Sequence, residues 1–151
     1  MSTSDSSRSM GRWANGVKVS VYLKKKDGMT NAQFSQHYAH VHAALAGPVL
    51  LRHSCISYAQ LHCNSDTARS SIASLFGPDA LNPRSAMQIM PFDACSSFVF
   101  ASLVDARGFF SDPETTCVLA ADSSNFTNPV VMQVAIGREF VVIQDEQAQH
   151  K

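Results

Sequence analysis

The sequence lacks an excess of either charge: twelve lysines and arginines balance twelve aspartates and glutamates over 151 residues. That removes the electrostatic footprint of a nucleic-acid or anionic-membrane binder. No apolar run nears the ~20 residues that cross a bilayer. The first sixteen residues, MSTSDSSRSMGRWANG, have no apolar core for a signal peptide and read as a disordered leader. Residues 145–151 read as a polar tail. Only four cysteines occur (Cys55, Cys63, Cys95, Cys117), and none forms a CxxC pair. They read as reduced, mostly buried thiols of a cytosolic protein, not as a disulfide framework or zinc site. With no GxGxxG and no GKS/T, there is no dinucleotide fingerprint and no phosphate loop. HExxH is also missing, and His40 and His42 would diverge by about 200° on a helix. With no carboxylate within that helix, no metal site is expected.

What is present centres on MTNAQFSQHYAHVHAALAGP, Met29–Pro48. It reads as one amphipathic helix, started by Thr30 with Gln33 in a capping box and ended by Gly47-Pro48. Phe34, Tyr38, Val41, His42 and Leu45 form one apolar stripe. His42 lies inside the stripe, His37 borders it, and His40 points to solvent. An ionisable ring on an apolar face is either a core histidine satisfied by backbone or a functional group.

Val17–Lys24 alternates cleanly, with Val17, Val19, Val21 and Leu23 on one face and Tyr22 on the other, so a half-buried strand is expected. Ser54–Cys63 is a second alternating strand, carrying Ile56, Tyr58, Gln60 and His62 on its mixed face. That face is either a pocket wall or a surface turned to solvent or a second subunit. Residues 64–91 form a long connection, with a helix from Asp66 through Phe76 stopped by Gly77-Pro78. This segment is an insertion near the mouth of a site or a surface excursion. A third strand is surest over Ser97–Leu103. A turn capped by Asp105 follows, then a helix from Asp112-Pro113 to about Ala121. Val130–Ile136 and Glu139–Ile143 form a hairpin or one strand bulged at Gly137. The order is strand, helix, strand, long loop, strand, helix, strand: an α+β, ferredoxin-like βαββαβ domain over residues 17–144. A sheet covered by helices on one face only needs cover on the other, so a homodimer is expected.

Over VKVSVYLKKKDGMTNAQFSQHYAHVHAALA the chain resembles the EthD-type branch of the dimeric α+β barrel proteins. The resemblance is carried by Gly28, Met29, Thr30, Phe34, Tyr38 and His42. Tyr38 stands where many members have tryptophan, and Ala43-Ala44-Leu45 replaces a proline-containing tail. The resemblance implies a pocket between sheet and helices in each monomer, reached by the helix-end histidine, and a homodimeric barrel. Fungal members that this chain resembles act in aromatic polyketide pathways as decarboxylases or dehydratase/cyclase-like enzymes, without metal or organic cofactor. The wider superfamily also holds monooxygenases, isomerases and simple binders, so fold alone does not assign a reaction.

The resulting expectation is a cofactor-independent lyase of secondary metabolism acting on a small hydrophobic aromatic, polyketide-like substrate. His42 is the expected general acid/base, with Tyr22 and Tyr58 brought together on adjacent strands to orient oxygens. Phe34, Tyr38, His37, His53, His62, Met87, Met90, Phe98 and Phe100 are the expected substrate-binding residues, the methionines serving as a possible lid. The alternatives are a non-catalytic carrier of small molecules and a cofactor-free oxygenase.

Overall fold

The computed structural model describes residues 11–85 and 87–144, so the leader through residue 10, Ala86 and the tail from 145 lie outside the described residues. In chain order the elements are β1 (Arg12–Trp13), β2 (Val17–Lys25), α1 (Asn31–His37), a π-helical turn (Tyr38–His42) and α2 (Ala43–Arg52). Then come β3 (Cys55–His62), α3 (Ser65–Phe76), β4 (Ala94–Phe100) and α4 (Leu103–Ser111). A second π segment (Glu114–Leu119), α5 (Ala120–Phe126), β5 (Thr127–Gly137) and β6 (Phe140–Val141) complete the chain.

The main sheet has the order β3-β4-β2-β5 with every neighbouring pair antiparallel. This is the expected ferredoxin-like α+β arrangement, and the single chain forms an open sheet, not a closed barrel. The alternation of β2 places Val19 and Leu23 toward the helices, where both are buried. Beside them, Phe98 and Phe100 of β4 pack on Ala46, Val49 and Leu50 of α2 and on Ala106 and Phe109 of α4. A second cluster joins Leu23, Phe34, Tyr38, Ala94 and Phe126.

The histidine helix starts as its sequence dictates. Thr30 Oγ1 accepts from the Gln33 amide at 3.0 Å, and Gln33 Oε1 accepts from the Thr30 amide at 3.0 Å. It does not stop at Gly47-Pro48 but runs to Arg52. Proline inside a helix costs about 3 kcal/mol, yet ending there would expose Val49 and Leu50, now 1% and 2% accessible. Burying two such side chains is worth about 1.5–3 kcal/mol each, so burial prevails over the proline. The expected stripe also shifts. The π turn admits one extra residue into the winding, so the buried face continues through Ala46, while Val41 and Leu45 are exposed.

Several other boundaries differ from expectation. Asn64, not Asp66, caps α3, and Ser102, not Asp105, caps α4. The third strand ends at Phe100 because Ser102 takes up that cap. The later helix continues past Ala121 to Phe126, whose ring is fully buried. β6 does not fold back on β5; it pairs with β1, inside the stretch expected to be disordered. Trp13 and Phe140 meet there edge to face at 5.1 Å. Of the four free thiols only Cys95 is buried, and Cys117 is exposed.

Candidate active site

Two helical arms cross the same face of the sheet and enclose a cavity of about 260 Å³. Val21, Leu23, Phe98, Phe109, Phe110, Leu119 and Met132 form its apolar walls. Its polar groups are His42, Tyr58, Ser96, Thr115 and Ser123, and among the described residues no lysine or arginine lines it.

His42 projects from the end of the π turn. Its Nδ1 lies 2.8 Å from Asp122 Oδ2, and His37 Nε2 lies 2.9 Å from Asp122 Oδ1. One buried carboxylate therefore serves two imidazoles. The local winding makes this possible. Residues five apart on an α-helix point about 140° from each other. A π turn bonds residue i to i+5 and stacks them, as the Ala43 amide does to the Tyr38 carbonyl. Asp122 meets them from the facing arm, where Leu119, Asp122 and Phe126 form one buried stripe. A carboxylate only accepts hydrogen bonds, so His42 carries its proton on Nδ1. Among the described residues its Nε2 has no partner. Burial pushes the Asp122 carboxyl up, but the hydrogen bonds from His42, His37 and Asn125 outweigh it, and the net effect holds it below the ordinary carboxylate range.

A second polar chain borders the cavity. The hydroxyls of Tyr38 and Ser96 are hydrogen-bonded to each other. Gln60 Nε2 donates to the Tyr58 hydroxyl at 2.8 Å and to the Tyr38 carbonyl at 3.0 Å. His62 Nε2 in turn donates to Gln60 Oε1 at 2.8 Å, while Nδ1 faces the Ser35 hydroxyl at 2.8 Å. Tyr58 stacks on Phe98 at 4.9 Å with the rings 3° apart. Burial pushes the Tyr58 phenol up, which keeps it a neutral hydrogen-bond donor.

Of the residues expected at the site, His42, Tyr58 and Phe98 line this cavity. His37 bonds Asp122 without lining the cavity, and Tyr38 and His62 belong to the bordering network. Phe34 and Phe100 are core residues, 2% and 0% accessible. Tyr22 does not join Tyr58. β4 lies between β2 and β3, and Tyr22 pairs opposite Cys95 and Gln133 on the other face of the sheet. Its ring instead packs on Phe92 at 5.7 Å. A bulge between Cys55 and Ser57 sets the register that turns Tyr58, Gln60 and His62 toward the helices. Met90 lines a separate cavity beside Tyr22, and Met87 another against Arg69. None of the described residues of the insertion thus lines the His42 cavity. His53 bonds Asp112 at 2.7 Å near the end of α2, away from it.

Sequence reading missed Asp122, Ser96 and Thr115, and it placed Gln60 only on a strand face that could wall a pocket. The spacing of Leu119, Asp122 and Phe126 held a usable signal: an acid inside an apolar stripe, the counterpart of His42 on the other arm.

Comparison with known proteins agrees with this architecture. The chain is 29% identical over 119 residues to decarboxylase nsrE of Aspergillus novofumigatus, covering 78% of this chain and 74% of that protein. It is 26% identical over 141 residues to decarboxylase claH of Passalora fulva, covering 92% and 87%. To dehydratase aurZ of Gibberella zeae it is 25% identical over 127 residues, covering 83% and 79%. Among solved structures, an ethyl tert-butyl ether d (EthD) family protein of Bacillus halodurans superposes with a TM-score of 0.54 at 14% identity, over 82% of this chain and 98% of that one. A dimeric protein of unknown function and ferredoxin-like fold from Bacteroides fragilis superposes with a TM-score of 0.53 at 10% identity, over 85% and 100%. The EthD domain matches residues 26–129, which takes in the histidine helix, strands β3 and β4 and the arm that carries Asp122, and the chain belongs to the EthD family.

Proposed function

We propose that this protein is a lyase that decarboxylates an aromatic, polyketide-like acid of secondary metabolism, with His42 as the proton-transfer group and no cofactor. The supporting observation is the His42–Asp122 pair at 2.8 Å in the wall of an apolar cavity. Decarboxylation of an electron-rich ring needs one proton delivered to the carbon that bears the carboxylate. Protonated His42 gives that proton from Nε2, the carbon–carbon bond breaks, and carbon dioxide leaves as the ring regains aromaticity. Neutral His42 then recovers a proton from solvent. Asp122 holds the ring orientation and opposes the imidazolium charge. Tyr58, already accepting from Gln60, donates its own proton to a substrate oxygen.

The same pair also serves a dehydration, in which Nε2 first removes a proton from carbon next to a carbonyl and then returns one to the departing hydroxide. The dehydratase relative keeps this as the second reading. A carrier that binds without turnover remains the contrast from outside catalysis.

The test is incubation of purified, metal-free protein with hydroxylated aromatic carboxylic acids, followed by mass spectrometry. Loss of carbon dioxide supports the first reading, and loss of water the second. Tight binding with unchanged mass supports the carrier. His42→Ala should abolish turnover while the fold survives; wild-type turnover in that variant removes the mechanism.

A homodimer belongs to the same proposal. β5 leaves Val130, Val134 and Ile136 exposed at 88%, 56% and 63%, and Leu61 of β3 is 60% exposed. Light scattering on the purified protein measures the assembly directly, and a monomer at micromolar concentration would refute it.

A further inference from the structure

Asp122 has more donors than the orientation of His42 requires. His37 Nε2 faces both carboxylate oxygens, at 2.9 and 3.2 Å, and Asn125 Nδ2 donates to Oδ1 at 3.4 Å. A carboxylate only accepts, so His37 carries a proton on Nε2, as His42 does on Nδ1. Each ring keeps one further nitrogen, and among the described residues neither nitrogen has a partner. His42 lines the cavity; His37 does not, yet 23% of its side chain is exposed, so it meets solvent by another route. The fully buried ring of Phe126 lies 4.9 Å from that of His37 and 5.0 Å from that of His42. Such aromatic contacts favour a cationic ring.

Among its described residues the cavity offers an aromatic carboxylate no lysine or arginine. Behind His42 stands a second carboxylate, Asp122, 9% exposed and held in its charged form. Two carboxylates close together beside an apolar cavity repel unless cations stand with them. The two imidazoles are the groups at hand. The other titratable side chains around them are engaged or turned away: Tyr38 bonds Ser96, Tyr58 and His62 of β3 bond Gln60, and His40 is exposed. Glu114 of the second π segment bonds Arg52, and Asp122 is the one charged residue of α5. We propose that His37 is the charge-balancing residue of this site, taking up a proton when an aromatic carboxylate binds and so leaving the proton of His42 for the ligand. With both imidazoles charged, two cations face two carboxylates. In the decarboxylase reading, the electron pair of the broken carbon–carbon bond stays on the ring carbon and takes the proton from His42 Nε2. Carbon dioxide leaves neutral, His42 is neutral, and His37 with Asp122 remains a neutral pair, so charge is balanced before and after the step. That step rests on the decarboxylase reading; proton uptake with a bound carboxylate does not.

The experiment is titration calorimetry with 2-naphthoic acid and its neutral counterpart 2-naphthamide, each in phosphate and in Tris, whose different ionisation heats count the protons taken up. The pH is set where NMR of the ring nitrogens finds both imidazoles neutral in the free protein. Wild type should take up about two protons per naphthoate and none per naphthamide. His37→Gln keeps an N–H for Asp122 but cannot carry charge. It should take up about one proton, and its naphthoate affinity should fall about tenfold while that for naphthamide holds. His37→Lys supplies a fixed cation, so it should hold naphthoate as wild type does while taking up only about one proton. Wild-type uptake of about one proton or none overturns the proposal. So does undiminished uptake in His37→Gln, or a folded His37→Gln that loses both ligands equally, which is the behaviour of a structural residue. Carbon dioxide release is read separately on the same samples. If uptake depends on His37 but no acid is turned over, the charge balance stands and the decarboxylase reading falls; release with uptake independent of His37 gives the reverse.

Discussion

Replacing Asp122 by asparagine removes one charge and leaves almost the same shape. In the wild type the carboxylate accepts from His42 at 2.8 Å and from His37 at 2.9 Å, and its side chain is only 9% exposed. An asparagine offers one acceptor oxygen where two were used, and its amide group cannot accept from either imidazole. A hydrogen bond to a charged partner contributes about 1.5–3 kcal/mol. Of the two, only the bond to His42 changes strength as the imidazole gains or loses its proton during the reaction. At the upper end, the loss raises the barrier by about 3 kcal/mol, or roughly two decades of rate at 1.36 kcal/mol per decade. Asp122→Asn should therefore lower kcat about a hundredfold with little change in KM. NMR of the imidazole nitrogens should show neutral His42 losing its uniform Nδ1–H tautomer. A folded Asp122→Asn protein with wild-type kcat would refute the reasoning, because the paired carboxylate would then do nothing for proton transfer. A variant that fails to fold is separated from this case by circular dichroism before any rate is read.

Tyr58→Phe keeps the stack on Phe98 and removes the donor, so kcat/KM should fall about tenfold with the melting temperature nearly unchanged; an unaltered kcat/KM would take Tyr58 out of the site. Gly108→Ala should destabilise the fold by about 1–2 kcal/mol, since an added Cβ would lie 2.7 Å from His53 Nδ1 and displace the ring that bonds Asp112. In the His53→Ala background most of that cost should vanish in denaturant titrations, and full additivity would show that the clash is not with His53. The pH dependence follows from His62, which burial holds below its ordinary value of 6.5. The unfolded chain therefore takes up this proton first, so the contribution of His62 to stability is complete above about pH 6.5 and is lost as pH falls through its folded value. His62→Gln should flatten the melting temperature between neutral and mildly acidic pH, and an unchanged slope would remove His62 as its source.

Features held within a few residues were legible in the sequence. The alternation of Val17, Val19, Val21 and Leu23 named the buried face of β2, because side chains of a strand alternate regardless of what lies beside it. Thr30 and Gln33 marked the helix start, because a capping box closes on itself. The order of strands and helices was enough for the ferredoxin-like arrangement, and His42 stood out as an ionisable group on an apolar stripe.

The tertiary structure decided what those features do. Sequence spacing assumed α-helical winding throughout, whereas the π turn brought His37 and His42 onto one side. Asp122 lies 80 residues from His42, and no local pattern connects them. They meet because the strand order β3-β4-β2-β5 lays both helical arms over one face. The same order put β4 between β2 and β3 and sent Tyr22 and Tyr58 to opposite sides of the sheet. Pro48 stayed inside its helix because Val49 and Leu50 had a core to enter, a gain that exists only once the sheet is assembled. Local chemistry chose the elements, and the packing of distant ones against each other chose which side chains share a cavity.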